Sequence, residues 1–160
     1  EMLRSLVGSE MCIRDRFGQS ISMASTIDTI MTLMSGRYHR DPPLEAETIT
    51  DTSRRMNLPG DYTQWMHWSN GGEGDFGALY LVFWPLNEIV QLNREFCIQK
   101  YLGAKALCFA TDGGGVGYVF RSLPNDCSVW SVPLGDLDWN AARKLGENLG
   151  STLLESLNST

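Results

Sequence analysis

Two glycine-rich runs are the places where this sequence could bind a small ligand. In Asp112-Gly-Gly-Gly-Val-Gly117, backbone N–H groups unobstructed by side chains could cradle a phosphate. That chemistry needs the run to open a helix, normally with a lysine to help. Here it begins with Asp112, contains no Lys or Arg, and leads into Tyr118-Val-Phe120, a strand pattern. A hairpin turn with glycines at positive φ explains it better. In Asn70-Gly-Gly-Glu-Gly-Asp75 the carboxylates could hold calcium. The alternating Asp/Asn ligands closed by a distant Glu are missing, so a helix stop followed by a mobile acidic loop is expected.

Nucleophilic and metal chemistry find less. His39 and His67 are the only histidines, and there is no HExxH, no GxSxG elbow and no CxxC among Cys12, Cys97, Cys108 and Cys127. Distance in sequence does not forbid a dyad in space, but no local pattern supports one. The expectation is structural histidines, buried or half-buried thiols, and no catalytic residue, metal or cofactor. Five tryptophans, Trp65, Trp68, Trp84, Trp130 and Trp139, should be mostly core, and any left at the surface would be a binding hot spot.

The elements that must position these residues come from the hydrophobic pattern. Ser25 suits the N-cap of a helix over 26–34, with Ile27, Ile30, Met31 and Met34 on one face. The stretch 37–43, with two prolines, reads as a linker. A polar helix over 44–56 has Leu44, Thr48, Ile49, Thr52 and Met56 inside. Leu58-Pro-Gly-Asp61 opens a short helix to Ser69, stopped by Asn70-Gly-Gly72. Strand chemistry follows at 78–84, then helix spacing over 85–97 with Leu86, Ile89, Val90, Asn93 and Phe96 on one side. Further strands are expected at 105–111, 117–121 and 128–132, with turns at 112–116 and 122–127. A helix over 138–157 closes the chain, with Gly146 and Gly150 able to split it. Strands joined by such short turns must be antiparallel. Helices before, between and after them make an α+β fold, with a central sheet of about four to six strands.

The whole chain is 160 residues, 42% hydrophobic and 20% charged, the composition of one globular domain. Thirteen Lys and Arg against nineteen Asp and Glu leave a net charge of −6 and a pI near 4.8. That charge disfavours nucleic acid and anionic membrane and favours a basic partner. The longest apolar run, 78–86, is about half the length that spans a bilayer, and a cytoplasmic protein is expected. Residues 1–22 read as a disordered or adaptor-derived tail. VGSEMCIRDR resembles a translated sequencing-adaptor fragment, and Met23 is a plausible start.

Four motifs in order carry a resemblance: Leu58-Pro-Gly-Asp-Tyr62 with Trp65-Met66; Ser69-Asn-Gly-Gly72; a strand ending at Trp84 with Leu86-Asn-Glu-Ile89; and Asp112-Gly-Gly-Gly115 before Tyr118-Val-Phe120. Together they resemble the signature of the SUKH superfamily over residues 44–157, although Gly60 stands where that family commonly carries Glu. The expected organisation is an N-terminal helix and linker over 23–43 and a SUKH-like domain over 44–158. The resemblance implies Leu58, Pro59, Asp61, Tyr62, Asn70, Gly71, Gly72, Gly113 and Gly114 as structural motif residues. It also implies a non-enzymatic protein-binding role, most simply an immunity-like inhibitor of a nuclease-type toxin. The alternatives are a regulatory adaptor of the fungal cell-wall-synthesis type and, behind it, an enzyme. On the immunity reading a monomer faces its basic protein partner with Glu73, Asp75 and Asp112, joined by Trp84 and Asp126.

Overall fold

The computed structural model describes residues 25–159, so Cys12, Met23 and the expected tail lie outside it. Seven strands form one antiparallel sheet in chain order: β1 (Tyr38–His39), β2 (Gly72–Asp75), β3 (Tyr80–Phe83), β4 (Leu107–Thr111), β5 (Val116–Ser122), β6 (Asp126–Pro133) and β7 (Arg143–Gly146). The helices are α1 (Thr26–Met34), α2 (Ala46–Met56), α3 (Gly60–Trp68), α4 (Ile89–Glu95), α5 (Ile98–Leu102) and α6 (Leu149–Asn158), with single 3-10 turns at Leu86–Glu88 and Trp139–Ala141. The α+β class is as expected, but the sheet has seven strands rather than four to six. The additions are β1, inside the expected linker, β2, inside the expected acidic loop, and β7, inside the expected C-terminal helix.

Glycine explains why β2 escapes a propensity argument. Gly72 and Gly74 leave room for Tyr38 of β1, whose ring lies across them. A Cβ on Gly74 would come to 2.6 Å from Tyr38 Cδ1, and one on Gly72 to 2.3 Å from the His39 carbonyl. Glycine in a strand here marks a close approach rather than a turn. The Tyr38 hydroxyl then donates to the Gly71 carbonyl at 2.8 Å.

One sheet face carries the core. Strands β3 to β5 send Leu81, Phe83, Phe109 and Phe120 against Tyr62, Trp65 and Met66 of α3, with Ile27, Ile30 and Met34 of α1 and Leu149 and Leu153 of α6 in the same buried cluster. Phe109 and Phe120 stack at 4.3 Å, and Tyr62 meets both at 5.6 and 5.4 Å. Ser25 and Asp28 form a reciprocal capping box on α1, and Ile27, Ile30 and Met34 face inward. Thr48 of α2 is exposed rather than inside, and His39 and His67 are exposed as well. Cys108 is buried, Cys97 and Cys127 are half-buried, and all three are free thiols.

The opposite face is covered only in part. Over β4 to β6 it is roofed by α4, α5 and the segment from Leu134 to Ala142, where the Trp139 indole donates to the Leu102 carbonyl at 2.8 Å. The expected single helix over 85–97 is a 3-10 turn and α4, broken from α5 at Cys97, whose φ is +60°. Leu86, Ile89 and Asn93 face inward, whereas Val90 and Phe96 are exposed at 51% and 40%. Over β2 and β3 the same face is open, with Glu73, Asp75 and Tyr80 exposed.

Candidate protein-binding surface

The strand register brings three of the expected contact residues to one end of the sheet. Glu73 lies opposite Val82, and Val82 opposite Thr111, so these three form one row across β2, β3 and β4. Asp112 follows Thr111 directly, and its turn leans back until a Cβ on Gly113 would stand 3.7 Å from Val82. Asp75 lies opposite Tyr80 at the same end, because β2 and β4 both run towards it. The turn after β6 joins them: the Leu134 N–H donates to the Gly115 carbonyl at 2.8 Å and brings the exposed Asp136 alongside. In place of the expected mobile loop, residues 72–75 form a strand hydrogen-bonded on both sides.

Each of the three carboxylates is held in place. Asp112 Oδ1 accepts from the Gly114 and Val116 N–H groups at 2.8 and 3.1 Å, fixing the hairpin turn with Gly113 alone of its glycines at positive φ. Asp75 Oδ1 accepts from the Gly77 N–H at 2.8 Å. Glu73 accepts from the Tyr80 hydroxyl, and that hydrogen bond first, then partial desolvation and the charges of Glu73 and Asp75, push the phenol above its usual value. Side chains already immobilised lose little further entropy when a partner docks. One cation stands nearby: Arg37, whose guanidinium donates to the Asp75 carbonyl at 3.2 Å.

Two expected contact residues do not belong to this surface. Trp84 is only 7% exposed and stacks on Phe96 at 5.6 Å, so it is a core residue. The hydrophobic run 78–84 gave no sign of which alternate residues face out, because nearly all are apolar. The exposed aromatic is Tyr80. Asp126 is the first residue of β6, opposite Ser122 and at the other end of β5 from Asp112. Its carboxyl is held below the usual range by hydrogen bonds from the Ser128 hydroxyl and N–H, at 2.6 and 3.0 Å, with help from the charges of Lys144 and Arg121. Tyr80 and Asp136 are the surface residues that sequence reasoning missed. Neither left a signal in the sequence, because Tyr80 lies in a run that is apolar on both faces and Asp136 in a turn.

The motif residues build the scaffold rather than the surface. Leu58 and Tyr62 are buried and Pro59 stands at the N-cap of α3. Half-buried Asp61 joins two helix N-termini, accepting from the Tyr62 N–H at 2.8 Å and from the Gly150 N–H of α6 at 2.9 Å. Asn70 Oδ1 accepts from the Leu86 N–H at 2.7 Å, and Gly71 and Gly72 take φ of +92° and +91° to turn the chain from α3 into β2. Gly114 packs against Asp112.

Elsewhere, a groove of about 400 Å³ runs between the end of α2, α4 and the Leu123–Pro124 turn, lined by Met56, Val90, Lys105 and Leu123 among others. It holds no histidine, cysteine or carboxylate. Among the described residues no three metal-binding side chains converge, and no helix is long and apolar enough to cross a membrane. No protein-family model matches the chain, and no curated protein matches it either.

Proposed function

We propose that this chain is a non-enzymatic protein-binding module that captures a basic protein with the acidic end of its sheet. On this reading it acts as an immunity-like inhibitor of a nuclease-type toxin. The observation that carries the reading is the convergence of Glu73, Asp75 and Asp112, exposed or half-exposed, from two separate elements, each pinned by its own hydrogen bond. Opposed fields of this kind speed association and align the partners, and a positively charged nuclease surface is a matching counterpart. Tyr80 supplies an aromatic centre of the type that dominates interface energetics. The resemblance of the ordered motifs to the SUKH superfamily supports the same reading.

The test is to isolate the partner on immobilised protein and measure its association rate with wild type and with the Glu73→Lys, Asp75→Lys double variant. Association should slow by about tenfold or more at low ionic strength, and the two proteins should converge at high salt. An unchanged rate and an unchanged salt slope would remove this end of the sheet from the interface.

A further inference from the structure

Among the described residues Arg121 is placed unlike any other cation. It follows Phe120 on β5, so it projects to the sheet face opposite the core, where Trp130 and Trp139 stand at 76° to each other with ring centroids 5.5 Å apart. Its guanidinium carbon lies 4.6 Å from one ring centroid and 4.3 Å from the other. Both indoles are anchored: Trp130 Nε1 donates to the Ser128 hydroxyl at 2.8 Å and Trp139 Nε1 to the Leu102 carbonyl at 2.8 Å. Both walls of the corner that holds the guanidinium are thus fixed by a hydrogen bond. Yet Arg121 makes no hydrogen bond and no ion pair with any described residue. Asp126, whose field it feels, is occupied by Ser128, and Lys144 is spent on Glu147 at 2.6 Å.

We infer that Arg121, seated between Trp130 and Trp139, anchors a second binding surface that takes a single carboxylate of an acidic side chain on a protein partner. A guanidinium held against the two indoles still carries its planar fork of N–H donors, the fork that pairs two-to-two with a carboxylate, and no other described residue engages it. Arg and Trp together are also the residues richest in interface hot spots. A phosphate backbone is the poorer fit, because it needs several cations in a row and the chain carries a net charge of −6. The site is independent of the acidic end, since Arg121 lies five residues, roughly 17 Å, along β5 from Val116.

The experiment is an NMR titration of the full chain with acetyl-Ala-Leu-Glu-Leu-Ala-amide, followed at the Arg121 Nε–H and the Trp130 and Trp139 indole N–H resonances. Millimolar peptide should shift all three saturably, while the same peptide with Gln for Glu should bind at least several-fold more weakly. Arg121→Met, which keeps the stem over the indoles, should abolish the shifts while leaving the indole resonances dispersed. Arg121→Lys should bind several-fold more weakly than wild type, because it keeps the charge and loses the fork; this variant carries the test if the methionine variant does not fold. Equal binding of the Glu and Gln peptides, absence of a saturable shift, or wild-type affinity in Arg121→Lys would each overturn the proposal. So would decathymidylate moving these resonances when the Glu peptide does not.

Discussion

Asn93 does with one side chain what a neighbouring strand would do. β3 pairs with β4 only at Val82–Thr111 and Phe83–Ala110 before the chain leaves at Trp84, so the first half of β4 has an open edge. The buried Asn93 amide closes it, donating to the Cys108 carbonyl at 2.8 Å and accepting from the Cys108 N–H at 2.9 Å, and Gln99 donates to the Ala106 carbonyl at 2.8 Å. Asn93→Ala leaves two buried backbone groups unpaired and should cost about 2–4 kcal/mol in urea unfolding. Spacing alone put Asn93 on the inner stripe of its helix, but which backbone it completes depended on where β3 ends. Asp61 is the second such residue. Burial raises its carboxyl above the usual value despite the N–H groups that favour the charge. The folded state therefore binds the Asp61 proton more tightly than the unfolded chain does. Its contribution is fully present below the unfolded pKa and is lost as pH rises through the folded one. The stability of wild type relative to Asp61→Asn should thus be greatest in acid and decline towards neutral pH, as read from urea midpoints at a series of pH values. A gap that widens towards neutral pH would show the opposite shift.

At the level of elements, close approach decides what propensity cannot. In β2 the residues that look like loop formers are glycines because Tyr38 occupies the space of their side chains. Gly74→Ala should therefore destabilise by about 1–3 kcal/mol, because the ring it meets is tied at its hydroxyl. Gly115→Ala, in the β4–β5 turn with open space around it and no positive φ, should stay within about 0.5 kcal/mol of wild type. Thermal or urea unfolding of the two variants side by side checks the contrast. The same reasoning explains the C-terminal region. Apolar residues near three- and four-residue spacing from Trp139 onwards read as one helix, but only Leu149, Leu153 and Leu157 belong to it. Arg143 and Lys144 pair instead with Ser131 and Trp130 as β7, and Gly146 ends that strand where a Cβ would stand 2.3 Å from Thr152 Oγ1. A few apolar residues can satisfy a helical period by chance, whereas an edge strand depends on the partner beside it.

Across the whole molecule, a net charge of −6 matters less than where it is concentrated. On the proposed reading the carboxylates at the end of the sheet steer a basic partner together, so their effect on it should be local. Reversing Glu45 and Glu47, exposed around the start of α2, changes the net charge by as much as reversing Glu73 and Asp75. That control should move the association rate of the isolated partner by less than about twofold, against tenfold or more for the sheet variant. Equal effects would mean that total charge alone steers the encounter. The amino-acid sequence by itself determined the α+β class, four of the strands and their antiparallel pairing, and the Ser25 cap and Asp112 turn, because these follow from local period and turn chemistry. Only the tertiary structure decided that Glu73 and Asp75 lie on a strand, that Trp84 is buried and Tyr80 is not, and that Arg121 stands unpaired between two indoles. Each of those outcomes depends on which distant segment packs alongside, and that contact leaves no periodic trace along the chain.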